Sequence, residues 1–143
     1  MRLFITAVTL ILITACNDGA QEAQTTQVNV LVKSSKSWDG NELPIYPGGK
    51  PEISILRIII PPNTELPLHE HPVINAGVLI SGELTVVTDD QKTLYLKAGD
   101  PIVEVVNTWH YGKNEGEEPA DIIVFYAGIQ GEPITTKKEN IEG

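Results

Sequence analysis

The strongest constraint on this fold is the rhythm of the apolar segments. From Val28 onward they are short, rich in β-branched residues and cut by turn formers, and none keeps a helical period beyond about two turns. "ISILRIIIPP" is stopped by paired prolines and predicts a strand. "INAGVLI" and "ELTVVT" flank Ser81-Gly82, which predicts a hairpin turn. Asp89-Asp90-Gln91 marks the next turn, "TLYLKAGD" alternates and ends on Gly99-Asp100, and "IVEVV" and "DIIVFYAG" complete the set. With the apolar stretch Val28 to Val32, this makes seven or eight short strands in a chain of 143 residues. That length suits one ordinary domain, and the pattern predicts an all-β sandwich or barrel. "SWDGNELPIYPGGKPE" packs three prolines and three glycines into sixteen residues and reads as loop.

The N-terminus is different in kind. "MRLFITAVTLILITAC" carries one basic residue, Arg2, then an apolar run from Leu3 to Ile13 broken only by Thr6 and Thr9. A bilayer span needs roughly 20 apolar residues, so the run has the layout of a secretory signal peptide instead. Ile13-Thr14-Ala15-Cys16 resembles the lipobox of bacterial lipoproteins, in which the signal is cut before the cysteine and the cysteine is lipidated. The other reading is an ordinary signal peptide with an incidental Cys16. Asn17 stands where an aspartate would resemble an inner-membrane retention signal, so the resemblance implies an outer-membrane anchor facing the periplasm.

The expected organisation is a signal peptide at 1–15, a polar tether at 16–27, a barrel domain at 28–136 and a frayed tail at 137–143. Cys16 is the only cysteine, so the exported domain can form no internal disulfide. Formal net charge is -9 and the pI about 4.7, which argues against a nucleic-acid partner. Losing residues 1–15 removes Arg2 and makes the balance one unit more negative.

Within "ELPLHEHPVINAGVLISG", His69 and His71 stand two apart. In extended backbone both side chains point to one face, with Glu70 opposite. Neutral imidazoles so paired make half of a transition-metal site, or a surface hydrogen-bonding pair. The third histidine, His110, follows another β segment about forty residues on, at "NTWHYGKN". A sheet curled into a barrel brings such segments together.

These spacings resemble the two motifs of the cupin superfamily over roughly residues 53–127. The first motif runs from Asn63, in place of an opening glycine, through five residues to His69 and His71. Three residues then lead to Asn75, where the family has glutamate, and six more to Gly82. The second starts at Gly99, has Val105 for a proline and Asn107 for a glycine, and continues with His110 and Asn114 in register. The resemblance implies a double-stranded β-helix or jelly-roll barrel. It also implies a divalent transition metal (iron, manganese, nickel or zinc) held by His69, His71 and His110.

Asn75 offers only a neutral carbonyl oxygen. Three arrangements stay open: a metal on the three histidines with open positions, Asn75 as a weak fourth ligand, or an organic ligand with no metal. Glu104 interrupts an apolar run and is expected to point outward; an inward one could act as base or as a histidine's partner. Tyr126 is read as core filler and Trp109 as filler or pocket mouth.

The function expected is a small secreted cupin, a metal-dependent oxygenase or isomerase on a small organic substrate. The alternative is a non-catalytic periplasmic barrel, lipid-anchored at Cys16, that captures a small-molecule ligand or metal. A purely structural role would leave three histidines idle. Small cupins are often homodimers, an expectation carried by the resemblance alone.

Overall fold

The computed structural model describes residues 25–138. The expected signal peptide, Cys16 and the last residues of the tail lie outside that range.

The strands build two antiparallel sheets. In the first, β1 (Pro51–Ile60) pairs with β9 (Ala120–Ile129), β9 with β4 (Ile74–Ser81), and β4 with the short β7 (Pro101–Val103). In the second the order is β10 (Thr136–Lys137), β3 (His69–Glu70), β8 (His110–Asn114), β5 (Glu83–Thr88) and β6 (Thr93–Lys97). The two-residue β2 (Thr64–Glu65) also joins β8. No helix occurs among the described residues. The all-β jelly-roll expected from the sequence is therefore what the chain forms. Side chains alternate across each strand, so one face of each sheet turns inward. Ile60, Leu79 and Ile102 are fully buried between the sheets and pack with Ile122 and Val124.

Two expectations need correction. Ser81-Gly82 is a corner, and not a hairpin turn: β4 lies in the first sheet and β5 in the second. A β-bulge between Leu79 and Ser81 bends the strand first. Gly82 then takes φ +77°, and a Cβ there would stand 2.5 Å from Pro119 O. The close approach and the left-handed backbone together require glycine. Val28–Val32 forms no strand; it runs beside the outer face of the first sheet near Val78, Ile123 and Phe125.

The substituted motif positions have a conformational explanation. Asn63 and Asn107 adopt φ of 53° and 51°, the left-handed region that glycine enters freely and asparagine more readily than most residues. The turn requires the backbone state, and asparagine supplies it.

Candidate metal centre

His69 opens β3 and His110 opens β8, and the two are direct cross-strand partners. From the sequence His110 follows a β segment; in the structure it opens one, through its pairing with β3. His71 follows two residues after His69 in extended chain and so faces the same way. The three rings gather with centroids 5.0, 4.4 and 5.0 Å apart. Their ligand nitrogens lie within 4.8 Å of one another, a group able to hold a metal ion.

Each ring is fixed by its second nitrogen. His69 Nδ1 meets Pro67 O at 2.8 Å, His110 Nδ1 meets Thr108 O at 2.8 Å, and His71 Nδ1 meets Ile134 O at 2.9 Å. A carbonyl oxygen only accepts, so Nδ1 carries the proton in all three and Nε2 keeps its lone pair. Metal-binding histidines are commonly oriented in this way. Burial is the first cause that lowers the pKa of His69, His110 and His71, the last to about 4. At neutral pH the imidazoles are uncharged.

Glu104 corrects the sequence expectation that it faces outward. It is 8% exposed, lines the histidine cavity, and holds Oε2 3.8 Å from His110 Nε2. Pairing with β4 explains this. The register Gly77↔Ile102, Ala76↔Val103 continues through a hydrogen bond from Glu104 N to Asn75 O at 3.1 Å. Ile102 and Glu104 therefore face inward together, while Val103 faces out. Burial pushes the carboxyl up to about 7, against the pull of His69. The Val105 backbone N–H and, last, the Trp38 indole also lower it, although Trp38 Nε1 and Glu104 Oε2 both stay buried without a hydrogen-bond partner among the described residues. The signal was present in the sequence, as a lone charge in an apolar run, but its direction was not.

Asn75 is 1% exposed; its Nδ2 donates to Val73 O at 3.2 Å and its Oδ1 has no partner. It is absent from the cavity wall, whereas Tyr126, opposite it on β9, is part of that wall. The Tyr126 ring centroid lies 5.3 Å from that of His71, and burial pushes its phenol up to about 12. Tyr126 is thus both core filler and site wall. Trp109 does not line the cavity; Lys138 Nζ sits 5.6 Å from its ring centroid.

The cavity measures about 50 Å³ and its wall is otherwise aliphatic, with Ile58, Leu66, Val86 and Val124. His69 is the least buried of the three histidines and marks the open side. A larger groove of about 640 Å³ lies on the outer face of the first sheet and shares no residue with this cavity. The chemistry-bearing side chains are all in the smaller one.

The fold and the histidine cluster define a cupin barrel. Residues 56–126 match the family model described as "Cupin domain", and this stretch of the chain is a cupin domain. No curated protein sequence matches the chain. Among solved structures, an oxalate oxidase in complex with glycolate aligns over 59% of this chain and 45% of its own, at 24% identity and TM-score 0.51. DMSP lyase DddQ from Ruegeria pomeroyi aligns over 60% and 43%, at 17% identity and TM-score 0.53. A cupin-like protein from Thermotoga maritima aligns over 62% and 66%, at 16% identity and TM-score 0.55. The chain thus spans under half the length of the first two, and at these identities the likeness is one of fold.

Proposed function

We propose that the barrel holds a divalent transition metal on His69, His71 and His110 and acts on a small organic molecule, as an oxygenase or isomerase. The observation that carries this reading is the shared device at the three rings: Nδ1 tied to a backbone carbonyl, Nε2 free and turned to a common point. The donor chemistry fits iron, manganese, nickel or zinc. A bound ion would supply Lewis-acid polarisation of a substrate oxygen. The chain's own residues do the rest. The aliphatic part of the wall keeps the cavity narrow, and the Tyr126 hydroxyl stays protonated near His71 and can donate. A cavity of about 50 Å³ has room for little more than a water or two, so substrate approaches from the His69 side.

The test is the metal content of the full chain beside His69→Ala and His110→Ala. One ion per chain in wild type and loss in both variants is expected; equal content in all three ends the metal reading. Substrate-dependent oxygen uptake then marks the oxygenase. Tight metal or ligand binding without turnover would favour the alternative, a periplasmic capture barrel.

The lipid anchor belongs to the same proposal and is supported by Ile13-Thr14-Ala15-Cys16. Metabolic labelling with a palmitate analogue should mark the wild-type chain and not Cys16→Ser; an unlabelled, freely soluble wild type would remove the anchor and its outer-membrane, periplasm-facing placement.

The proposed partner is a second copy of the chain, seated on the outer face of the first sheet. Ile53, Ile55, Ile59, Ile80, Ile123 and Phe125 are exposed there, an apolar patch of the kind that marks an interface. Its charges, Arg57 and Asp121, bond each other at 2.7 Å. A neutral face on a chain of net charge -9 is where two copies can approach without repulsion. Ile55→Glu should convert a dimer to a monomer in sedimentation velocity; a monomeric wild type at high concentration, or one that binds vesicles through this face, would refute the dimer.

A further inference from the structure

Glu104 carries an inference beyond the three histidines. A carboxylate taken out of water is expensive unless donors or a cation meet it. Among the described residues Glu104 Oε2 is buried with no hydrogen-bond partner, and no Lys or Arg lines the cavity it faces. The free nitrogen nearest in geometry, His110 Nε2, bears a lone pair toward it at 3.8 Å, which cannot satisfy an anion. Once ionised, the carboxylate and the imidazole lone pair are two acceptors facing each other. Either the carboxyl proton or a positive ion meets such a pair, and three imidazole nitrogens gathered at the same place favour the ion. Donors each about 2.1 Å from one ion stand about 3 to 4 Å apart, the separation found between Glu104 and His110. The carboxylate lies outside the 4.8 Å grouping of the three imidazoles and has to close on it when an ion binds.

We propose that Glu104 is the fourth protein ligand of the metal ion held by His69, His71 and His110. Its carboxylate comes from the strand extension beside the one that carries Asn75. The backbone bond from Glu104 N to Asn75 O places the two residues opposite each other on neighbouring strands, with side chains on the same inner face. The carboxylate that position 75 lacks is supplied one strand away. Asn75 spends its amide on Val73 O and stays out of the cavity wall. One anionic oxygen beside three imidazoles offsets half of a divalent charge and suits manganese, which takes oxygen ligands readily. This inference rests on the metal reading above.

The test titrates Mn(II) into the EDTA-treated full chain by calorimetry, for wild type, Glu104→Gln and His69→Ala. Glu104→Gln should bind roughly tenfold more weakly or worse, while its far-ultraviolet spectrum stays that of wild type. The visible bands of the Co(II)-loaded chain should shift in the same variant, because the donor set changes. Wild-type Mn(II) affinity in Glu104→Gln, with binding lost in His69→Ala, overturns the Glu104 assignment and leaves the histidine site standing. Wild-type affinity in His69→Ala overturns the histidine site itself. Should Glu104→Gln fail to fold, Glu104→Ala decides the same question by the same affinity.

Discussion

Left-handed backbone at Asn63 and Asn107 limits what those positions accept. A β-branched side chain is strained there, whereas glycine is at ease. Asn107→Val should lower stability by roughly 1–3 kcal/mol in urea unfolding, with Asn107→Gly within about 1 kcal/mol of wild type. Asn107 N also donates to His71 O at 2.9 Å, so the valine variant should weaken metal binding as well. A second prediction concerns Asp121, whose carboxyl the Arg57 guanidinium holds below its ordinary value. A depressed acid stabilises the fold above its unfolded pKa and loses that contribution as pH falls through the folded one. Asp121→Asn should therefore melt below wild type at pH 7, and the gap should narrow as pH falls through and below the ordinary carboxylate range. At this scale the histidine spacings were legible because they are local, two residues apart or set by a turn. The side of Glu104 was not, since it depends on which residue of β4 lies opposite.

Elements were readable and their partners were not. Alternation and proline stops locate β1, β4, β5, β6 and β9 within a few residues, because those signals act over neighbouring positions. Assignment to a sheet is decided elsewhere in the chain. Ser81-Gly82 has the local chemistry of a hairpin, but Pro119 lies against Gly82 and the preceding bulge turns β5 away. Gly82→Ala places a methyl against that carbonyl at a backbone angle alanine resists. A loss of about 2 kcal/mol or more is expected in thermal or chemical melts, with the far-ultraviolet spectrum still β. Val28–Val32 shows the converse: β-prone residues laid against a sheet's face instead of its edge remain unpaired.

For the whole molecule, the two sheets close on a cavity that belongs to neither. It draws His69 and His110 from the second sheet, and Glu104 and Tyr126 from the end of β7 and from β9 in the first. No segment of sequence contains it, which is why two motifs in register gave its outline while Glu104, inside the second motif at a position the motif leaves free, went unplaced. Metal removal should be felt by the entire barrel. A ligand bound to the folded state alone at a hundred times its Kd stabilises by about 2.7 kcal/mol, so EDTA should lower the melting temperature of wild type by several degrees. The same treatment should leave His69→Ala unmoved.

His71 is held by the far end of the chain. Ile134 O accepts from its ring, Lys137 pairs with His69, and Lys138 N donates to Leu68 O at 2.9 Å. Residues 134–138 thus form a clasp, and thermodynamic reciprocity would make the clasp and a bound ion mutual effectors. Whatever fixes the His71 ring slows the opening of the clasp, and whatever frees the clasp weakens the grip on the ion. Amide hydrogens of residues 136–138 should exchange more slowly in metal-loaded protein than after chelation. Strand β10 and Lys138 would then report the occupancy of a site that they do not themselves enter.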